Sequence, residues 1–142
     1  MNELQKLEKI ASELINVYGI TTPPVPVETM LRKPHNNMWK QVDINQLSGT
    51  FLSITDHFSP RMSLARLLAR HAAYSNWGRE RELDQLLAAD PENIRAFARM
   101  LIMPMAMVSG LSNAARNPTT MSMKFEVPES DARTRLLELA RT

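Results

Sequence analysis

The sequence predicts one α+β domain, mostly helical, with a small β-sheet. Three observations predict this fold class. The length of 142 residues suits a single domain over 1–142. Apolar residues recur at steps of three and four in several long segments, which is the spacing of a helix face. Two short segments between the first two long helices instead have the composition and alternation of strands.

The first helix has the clearest pattern in the N-terminal half. Its apolar residues run from Leu4 to Ile15 at helical spacing, and Gly19 can end the helix in the left-handed conformation. The prolines of segment 21–26 cannot continue it, because proline has no amide donor and holds an extended course. We predict a short helical turn next, over Val27–Leu31.

The small sheet is predicted from two segments that follow this turn. Segment 35–43 resembles a short strand, and segment 49–55 alternates in side-chain character after the turn residues Ser48 and Gly49. Together they predict a hairpin or a small sheet.

Three later helices share one start signal, a capping side chain followed by proline at the first helical position. The last helix has Glu129 and Asp131 in its first turn, where carboxylates complement the helix dipole. The three start signals are Ser59-Pro60, Asp90-Pro91 and Asn117-Pro118. The predicted helices are 60–76, 79–88, 91–104, 118–124 and 129–141.

Composition excludes several functional classes. The chain has no cysteine, which excludes disulfide frameworks and thiolate metal sites, and it has only three histidines, His35, His57 and His71. The 17 basic and 15 acidic residues give a net charge of +2, too balanced to indicate nucleic-acid binding by itself. No segment resembles a signal peptide or a membrane span, so we expect a cytoplasmic protein without a membrane partner.

The helix over 60–76 is apolar around well over half of its circumference, which predicts that it is largely buried. Its polar side chains fall in one narrow window that we expect to face a cleft. Arg66 and Arg70 are one turn apart in that window, and buried cations need anions nearby. The alternative is that both arginines point into water. The window contains Ser63, Arg66, Arg70 and Tyr74.

Four segments, in order, resemble the ImmA/IrrE family of bacteria and their mobile elements. Segment 18–28 is similar to the family's "YGI..PPVPVE", and segment 61–65 to the start of "R.RFTLAHELGH". Segment 97–104 is similar to "FA..LLMP", and segment 125–139 to the closing "F.VS..A...RL..L". The resemblance implies a zincin-like metallopeptidase domain, and some members of the family cleave helix-turn-helix repressors.

The metal motif implied by the resemblance is degenerate. Its two histidine positions are occupied by Arg66 and Arg70, and the general-base position by Leu67. The position of the third ligand falls on Asn93. Guanidinium has no lone pair to offer, and leucine can neither ligate a metal nor move a proton. We therefore expect no catalytic zinc, no other cofactor and no catalytic residue; each lone histidine is interpreted as a surface or hydrogen-bonded residue.

If the chain retains the cleft that the resemblance implies, the charged side chains in it need partners other than a metal ion. One hypothesis pairs Arg66 and Arg70 with Glu92 or Asp90, at the start of the next long helix. A second is that the two arginines bind an acidic ligand or a phosphate as a fork.

The chain is also rich in methionine, with ten residues. Met100 and Met103 are expected in the core by their helical spacing. Four others indicate an apolar surface for a partner or for self-association. They form two pairs, Met105 with Met107 and Met121 with Met123.

The function that these observations favour is that of a pseudopeptidase acting by protein binding. The resemblance implies a regulatory partner, such as a helix-turn-helix repressor or the product of a neighbouring gene, in a mobile-element or stress response. Two alternatives stay open: an active zinc metallopeptidase with unusual ligands, and a nucleic-acid-binding module. The second would use Arg61, Arg66, Arg70 and Arg79.

Overall fold

The computed structural model describes residues 1–46 and 58–141, and all of their regular structure is helical. Two short 3-10 helices, Ile44–Gln46 and Asn113–Ala115, accompany the α-helices. The α-helices of the described residues are α1 (Glu3–Val17), α2 (Val27–Arg32), α3 (Ser59–Tyr74), α4 (Asn76–Glu80), α5 (Leu83–Ala89), α6 (Pro91–Ile102), α7 (Met105–Ser109), α8 (Pro118–Phe125) and α9 (Glu129–Arg141).

The prediction of an α+β fold of zincin-like type with a small sheet is wrong, since residues 1–46 and 58–141 contain no strand. Segment 35–43 consists of turns and irregular chain. Asn37 has a positive φ of 66°, which breaks an extended course. The Val42 amide and the Trp39 indole both donate to the Leu31 carbonyl, so this segment is held by the end of α2 and not by a partner strand. Segment 49–55 lies outside the described residues.

Most of the predicted helix starts are confirmed. Asp90 accepts a hydrogen bond from the Glu92 amide and Asn117 accepts one from the Thr120 amide, so both residues cap their helices as expected. At α3 the expected cap is wrong, because Ser59 is the first residue of the helix and Phe58 precedes it as the N-cap. The first helix and the last are also confirmed, with Gly19 at a positive φ of 65° after α1.

The helix predicted over 79–88 is wrong in its extent, because two short helices take its place. Ser75 ends α3 and caps α4 by accepting a hydrogen bond from the Gly78 amide. A Cβ added at Gly78 would lie 2.0 Å from the Ala72 carbonyl oxygen, so only glycine lets α4 approach α3 this closely. Glu82 has a positive φ of 59° and separates α4 from α5.

Helices α3 and α6 form the centre of the molecule, and α1, α5 and α9 pack around them. The prediction that α3 is largely buried is confirmed, since Leu68, Ala69 and Ala72 have no exposed surface. Phe97 and Leu101 of α6 are equally buried. Within the described residues, none of the helices has the length and apolar character needed to cross a membrane.

Arg61, in the first turn of α3, connects distant parts of this helical assembly. It forms an ion pair with Glu28 of α2, with 3.0 Å between Nη1 and Oε1. Its Nη2 donates to the Val25 carbonyl at 2.9 Å, and its Nε donates to the Glu126 carbonyl at 3.2 Å. One guanidinium thus joins the proline-rich segment and α2 to the end of α8.

Candidate functional site

The polar window of α3 divides into an inner part and an outer part. Ser63 is buried, and the Arg66 guanidinium donates to its hydroxyl oxygen at 3.0 Å. Burial lowers the pKa of Arg66; the Asp131 carboxylate of α9 acts in the opposite direction, whereas Arg95 and Arg70 lower the pKa further. The Arg66 guanidinium thus lies within electrostatic range of charged residues on α6 and α9.

The outer part lies in a groove of about 600 Å³ between α3 and the irregular chain after α2. We call it the α3 groove. Tyr74 is 60% exposed at one wall, and Arg70 is exposed beside it. Trp39 is buried and forms part of the opposite wall. The residues that determine its character are Trp39, Lys40, Leu67, Arg70, His71 and Tyr74.

The α3 groove is basic as well as apolar. Lys40 and Arg70 contribute two cations, and no carboxylate is found among the described residues that line the groove. Within the described part of the chain, neither cation forms an ion pair. His71 lines the same groove in a half-buried position, and burial lowers its pKa. The lining that the structure describes is thus positively charged, which favours an anionic ligand.

The four positions of the degenerate metal motif have different surroundings. Arg66 donates to Ser63 and lies within electrostatic range of Asp131 of α9, whereas Leu67 and Arg70 line the α3 groove. Asn93 is buried on another side of α6, where its amide donates to the Leu86 carbonyl at 2.8 Å and to the Glu3 carboxylate at 3.3 Å. That amide is therefore engaged with α5 and α1.

These residues do not fit a zinc ion. Zinc requires imidazole, thiolate or carboxylate ligands that converge on one point. Across residues 1–46 and 58–141, no three histidine, cysteine, aspartate or glutamate side chains are grouped so that they could hold a metal. His71 lies in the α3 groove, and His35 lies against the Tyr18 ring with 4.3 Å between the ring centroids. His57 lies outside the described residues.

The predicted carboxylate partners of Arg66 and Arg70 are engaged elsewhere. Glu92 forms an ion pair with Arg95 at 2.6 Å, one turn further along α6. Asp90 caps the same helix. The structure therefore shows neither carboxylate paired with an arginine of α3.

A group of ion pairs joins α9 to α1 and α6, and the sequence did not predict it. Arg135 has no exposed surface; it forms an ion pair with Glu8 of α1, and its Nε donates to the Met103 carbonyl at 2.9 Å. Arg99 of α6 pairs with Glu138 at 2.9 Å and lies 3.8 Å from Asp131. We call these five charged residues the ion-pair layer.

A signal for this layer was present in the sequence. Glu8 falls at helical spacing with Leu4, Ala11 and Ile15, and Arg135 falls three and four residues from Ala132 and Leu139. Each charge therefore lies on the apolar face of its helix, where only a buried partner makes it tolerable.

The methionine and arginine predictions have mixed outcomes. Met100 and Met103 are core residues, as expected. Met121 has no exposed surface and cannot belong to a partner surface, whereas Met123 is 68% exposed. Met105 and Met107 are half-buried.

The four arginines considered for nucleic-acid binding do not form one exposed set. Arg61 points inward to Glu28, and Arg66 is half-buried. Arg70 and Arg79 are exposed.

Comparison with known proteins gave no match to a protein-family model, a curated protein or a solved structure. The groove offers cations and aromatic surface to a ligand. The ion-pair layer is enclosed and stabilises the arrangement of α1, α6 and α9.

Proposed function

We propose that this chain is a catalytically degenerate ImmA/IrrE-like domain that acts by binding a protein partner. The observation that carries the proposal is the set of side chains at the four motif positions. Arg66, Leu67 and Arg70 cannot ligate zinc or activate water, and the Asn93 amide is engaged in hydrogen bonds to α5 and α1.

A second observation supports the resemblance on which the proposal depends. Glu28 closes the segment that resembles "PPVPVE", and Arg61 opens the segment that resembles "R.RFTLAHELGH". The two form an ion pair across 33 residues of sequence. Residues that the resemblance selects in separate segments thus meet in space, which is expected if those segments belong to one inherited scaffold.

The partner that the resemblance favours is a helix-turn-helix repressor, and the role is regulatory. A domain that keeps the surface for recognising such a protein but lacks the hydrolytic groups would hold its partner without cleaving it. Binding would then control how much repressor is available to DNA.

The test for catalysis is zinc titration of the purified chain by calorimetry, together with a cleavage assay on helix-turn-helix repressors encoded beside it. We expect no stoichiometric zinc binding and no cleavage. A variant carrying Arg66→His, Leu67→Glu and Arg70→His provides the contrast, because two histidines one turn apart can both reach one ion. Stoichiometric zinc in the unsubstituted chain, with cleavage that depends on it, would overturn the proposal.

The binding half of the proposal is tested by co-expression with the same repressors, followed by size-exclusion chromatography. We expect one of them to elute with the chain as a complex of defined stoichiometry, with both proteins intact. Separate elution of every repressor at micromolar concentration would contradict the assigned partner class.

A further inference from the structure

We infer that the α3 groove binds an acidic peptide segment in which a carboxylate lies next to an apolar side chain. This inference rests on the proposed protein-binding function and specifies the chemistry of the partner. Three features of the groove carry it: its size, its aromatic wall and its two cations, Lys40 and Arg70, which form no ion pair with a described residue.

The size and the walls of the groove suit a short peptide segment. Its volume of about 600 Å³ is within the usual range for ligand pockets, roughly 300–1,000 Å³. Tyr74 is among the few large apolar side chains that the described residues leave exposed, at 60%. Tyrosine is enriched at the energetic centres of protein interfaces, because its ring buries a large area at a low cost in conformational entropy. Leu67 and Met38 extend this apolar surface along the groove.

The charges of the groove select an acidic ligand. Arg61, Arg81 and Arg99 approach the protein interior, and each has a carboxylate partner among the described residues. Arg70 and Lys40 line the same groove, and neither pairs with a carboxylate within residues 1–46 and 58–141. Guanidinium donates through two parallel N–H groups to a carboxylate, and the nearby ammonium group adds attraction.

The same features favour a peptide over a nucleic acid. Binding to a phosphate backbone depends on many cations spaced along a strand. The α3 groove has two permanent cations between apolar walls, and the chain carries a net charge of only +2. A carboxylate flanked by an apolar side chain matches both components of this lining.

The experiment is an NMR titration of the full chain with a blocked hexapeptide of sequence AFELEA, which places carboxylates beside apolar side chains. The matched probe is AFQLQA, which has the same shape without charge. We expect AFELEA to move the Trp39 indole and the His71 ring signals, and AFQLQA to bind at least about tenfold more weakly, because it lacks the charge-assisted hydrogen bonds.

Two substitutions localise the effect. Arg70→Gln is expected to weaken AFELEA binding about tenfold, and Lys40→Gln by a smaller factor. Arg133→Gln is the control, because Arg133 is an exposed arginine of α9 outside the groove. It should leave binding unchanged. Arg70 is exposed, so its replacement should leave the helical circular dichroism spectrum intact.

Several results would overturn the inference. One is the absence of shifts up to millimolar AFELEA; another is equal binding of AFQLQA or of the Arg70→Gln variant. Stronger shifts from a single-stranded oligonucleotide would identify a nucleic-acid surface instead. Shifts of the same signals on raising protein concentration alone would identify an interface between copies. If the groove fails these tests while a repressor still co-elutes with the chain, only the location of binding is wrong and the proposed function stands.

Discussion

The arginines of the ion-pair layer and of the α3 groove differ in both burial and pairing. In the layer, Arg135 and Arg99 are almost fully buried, and each has a carboxylate on a neighbouring helix. In the groove, Arg70 is exposed, and the described residues that line the groove with it include no carboxylate. The two buried arginines of the layer are thus paired with carboxylates, whereas the exposed Arg70 of the groove forms no ion pair with a described residue. The first arrangement determines how helices pack, and the second leaves attraction available for a ligand.

The largest effect is expected from Glu8→Gln, which removes the carboxylate partner of Arg135. The variant keeps the shape of the side chain but leaves a guanidinium with no exposed surface uncompensated. Removing one partner of a buried pair costs about 3–5 kcal/mol in the free energy of unfolding. Urea denaturation monitored by circular dichroism measures this loss.

A double variant, Glu8→Leu with Arg135→Met, serves as the control for that measurement. Because it removes both charges and keeps apolar volume, it should recover most of the stability lost by Glu8→Gln. A loss below about 1 kcal/mol for Glu8→Gln alone would mean that water reaches Arg135.

A smaller loss is expected from Glu138→Gln. Arg99 donates two hydrogen bonds to Glu138, at 3.1 and 2.9 Å, but it also lies 3.8 Å from Asp131. The second carboxylate leaves the guanidinium partly compensated, so we expect about 1.5–3 kcal/mol, the range for hydrogen bonds to charged groups. The same denaturation experiment on Glu138→Gln together with Asp131→Asn should show a larger loss than the single variant. Equal losses would show that Asp131 does not compensate Arg99.

The sequence predicted features that depend on neighbouring residues. The caps at Asp90 and Asn117 and the apolar face of α1 each need only a few adjacent positions, and the structure confirms them. The predicted strand over 35–43 failed because its hydrogen bonds go to the end of α2, which alternation cannot reveal. The single helix predicted over 79–88 was wrong for a related reason. Glu82 interrupts it with a positive φ, a conformation that glutamate rarely adopts and that the sequence therefore does not indicate.

The candidate site could be predicted only in part for the same physical reason. Helical spacing placed Arg70 and Tyr74 in one polar window, and both line the α3 groove. The other wall, with Trp39 and Lys40, comes from irregular chain for which no periodicity exists. The partner of Arg135 is 127 residues away in sequence, so the spacing shows that Arg135 needs a carboxylate but not which one.

A surface counterpart to the ion-pair layer is the pair Arg95 and Glu92. Both side chains are more than 60% exposed, although their atoms approach to 2.6 Å. Glu92→Gln is therefore expected to change the free energy of unfolding by at most about 0.5 kcal/mol, because exposed pairs are screened by water. Thermal denaturation of both proteins at low and at high salt measures this change in stability. A loss above about 1 kcal/mol would instead support a partly buried partner for Glu92.

The smallest expected effect is on the pH dependence of stability, to which His71 of the groove and Asp131 of the layer contribute with opposite signs. Burial lowers the pKa of His71, so the folded chain resists protonation that the unfolded chain accepts near its ordinary value of about 6.5. The resulting stability is present above that pH and is lost as the pH falls through the folded pKa. Burial raises the pKa of Asp131, and the sign is opposite there: protonation favours the folded chain as the pH falls towards 4.

Comparing the chain with His71→Asn at each pH cancels the contribution of Asp131 and isolates that of the groove. We expect the difference in melting temperature between the two proteins to be constant above pH 7 and to move in favour of the variant between pH 6.5 and 5, where the unfolded histidine gains its proton. A difference that stays constant over the whole range would show that His71 titrates alike in both states. The half-buried position of His71 in the groove would then impose no energetic constraint on its charge.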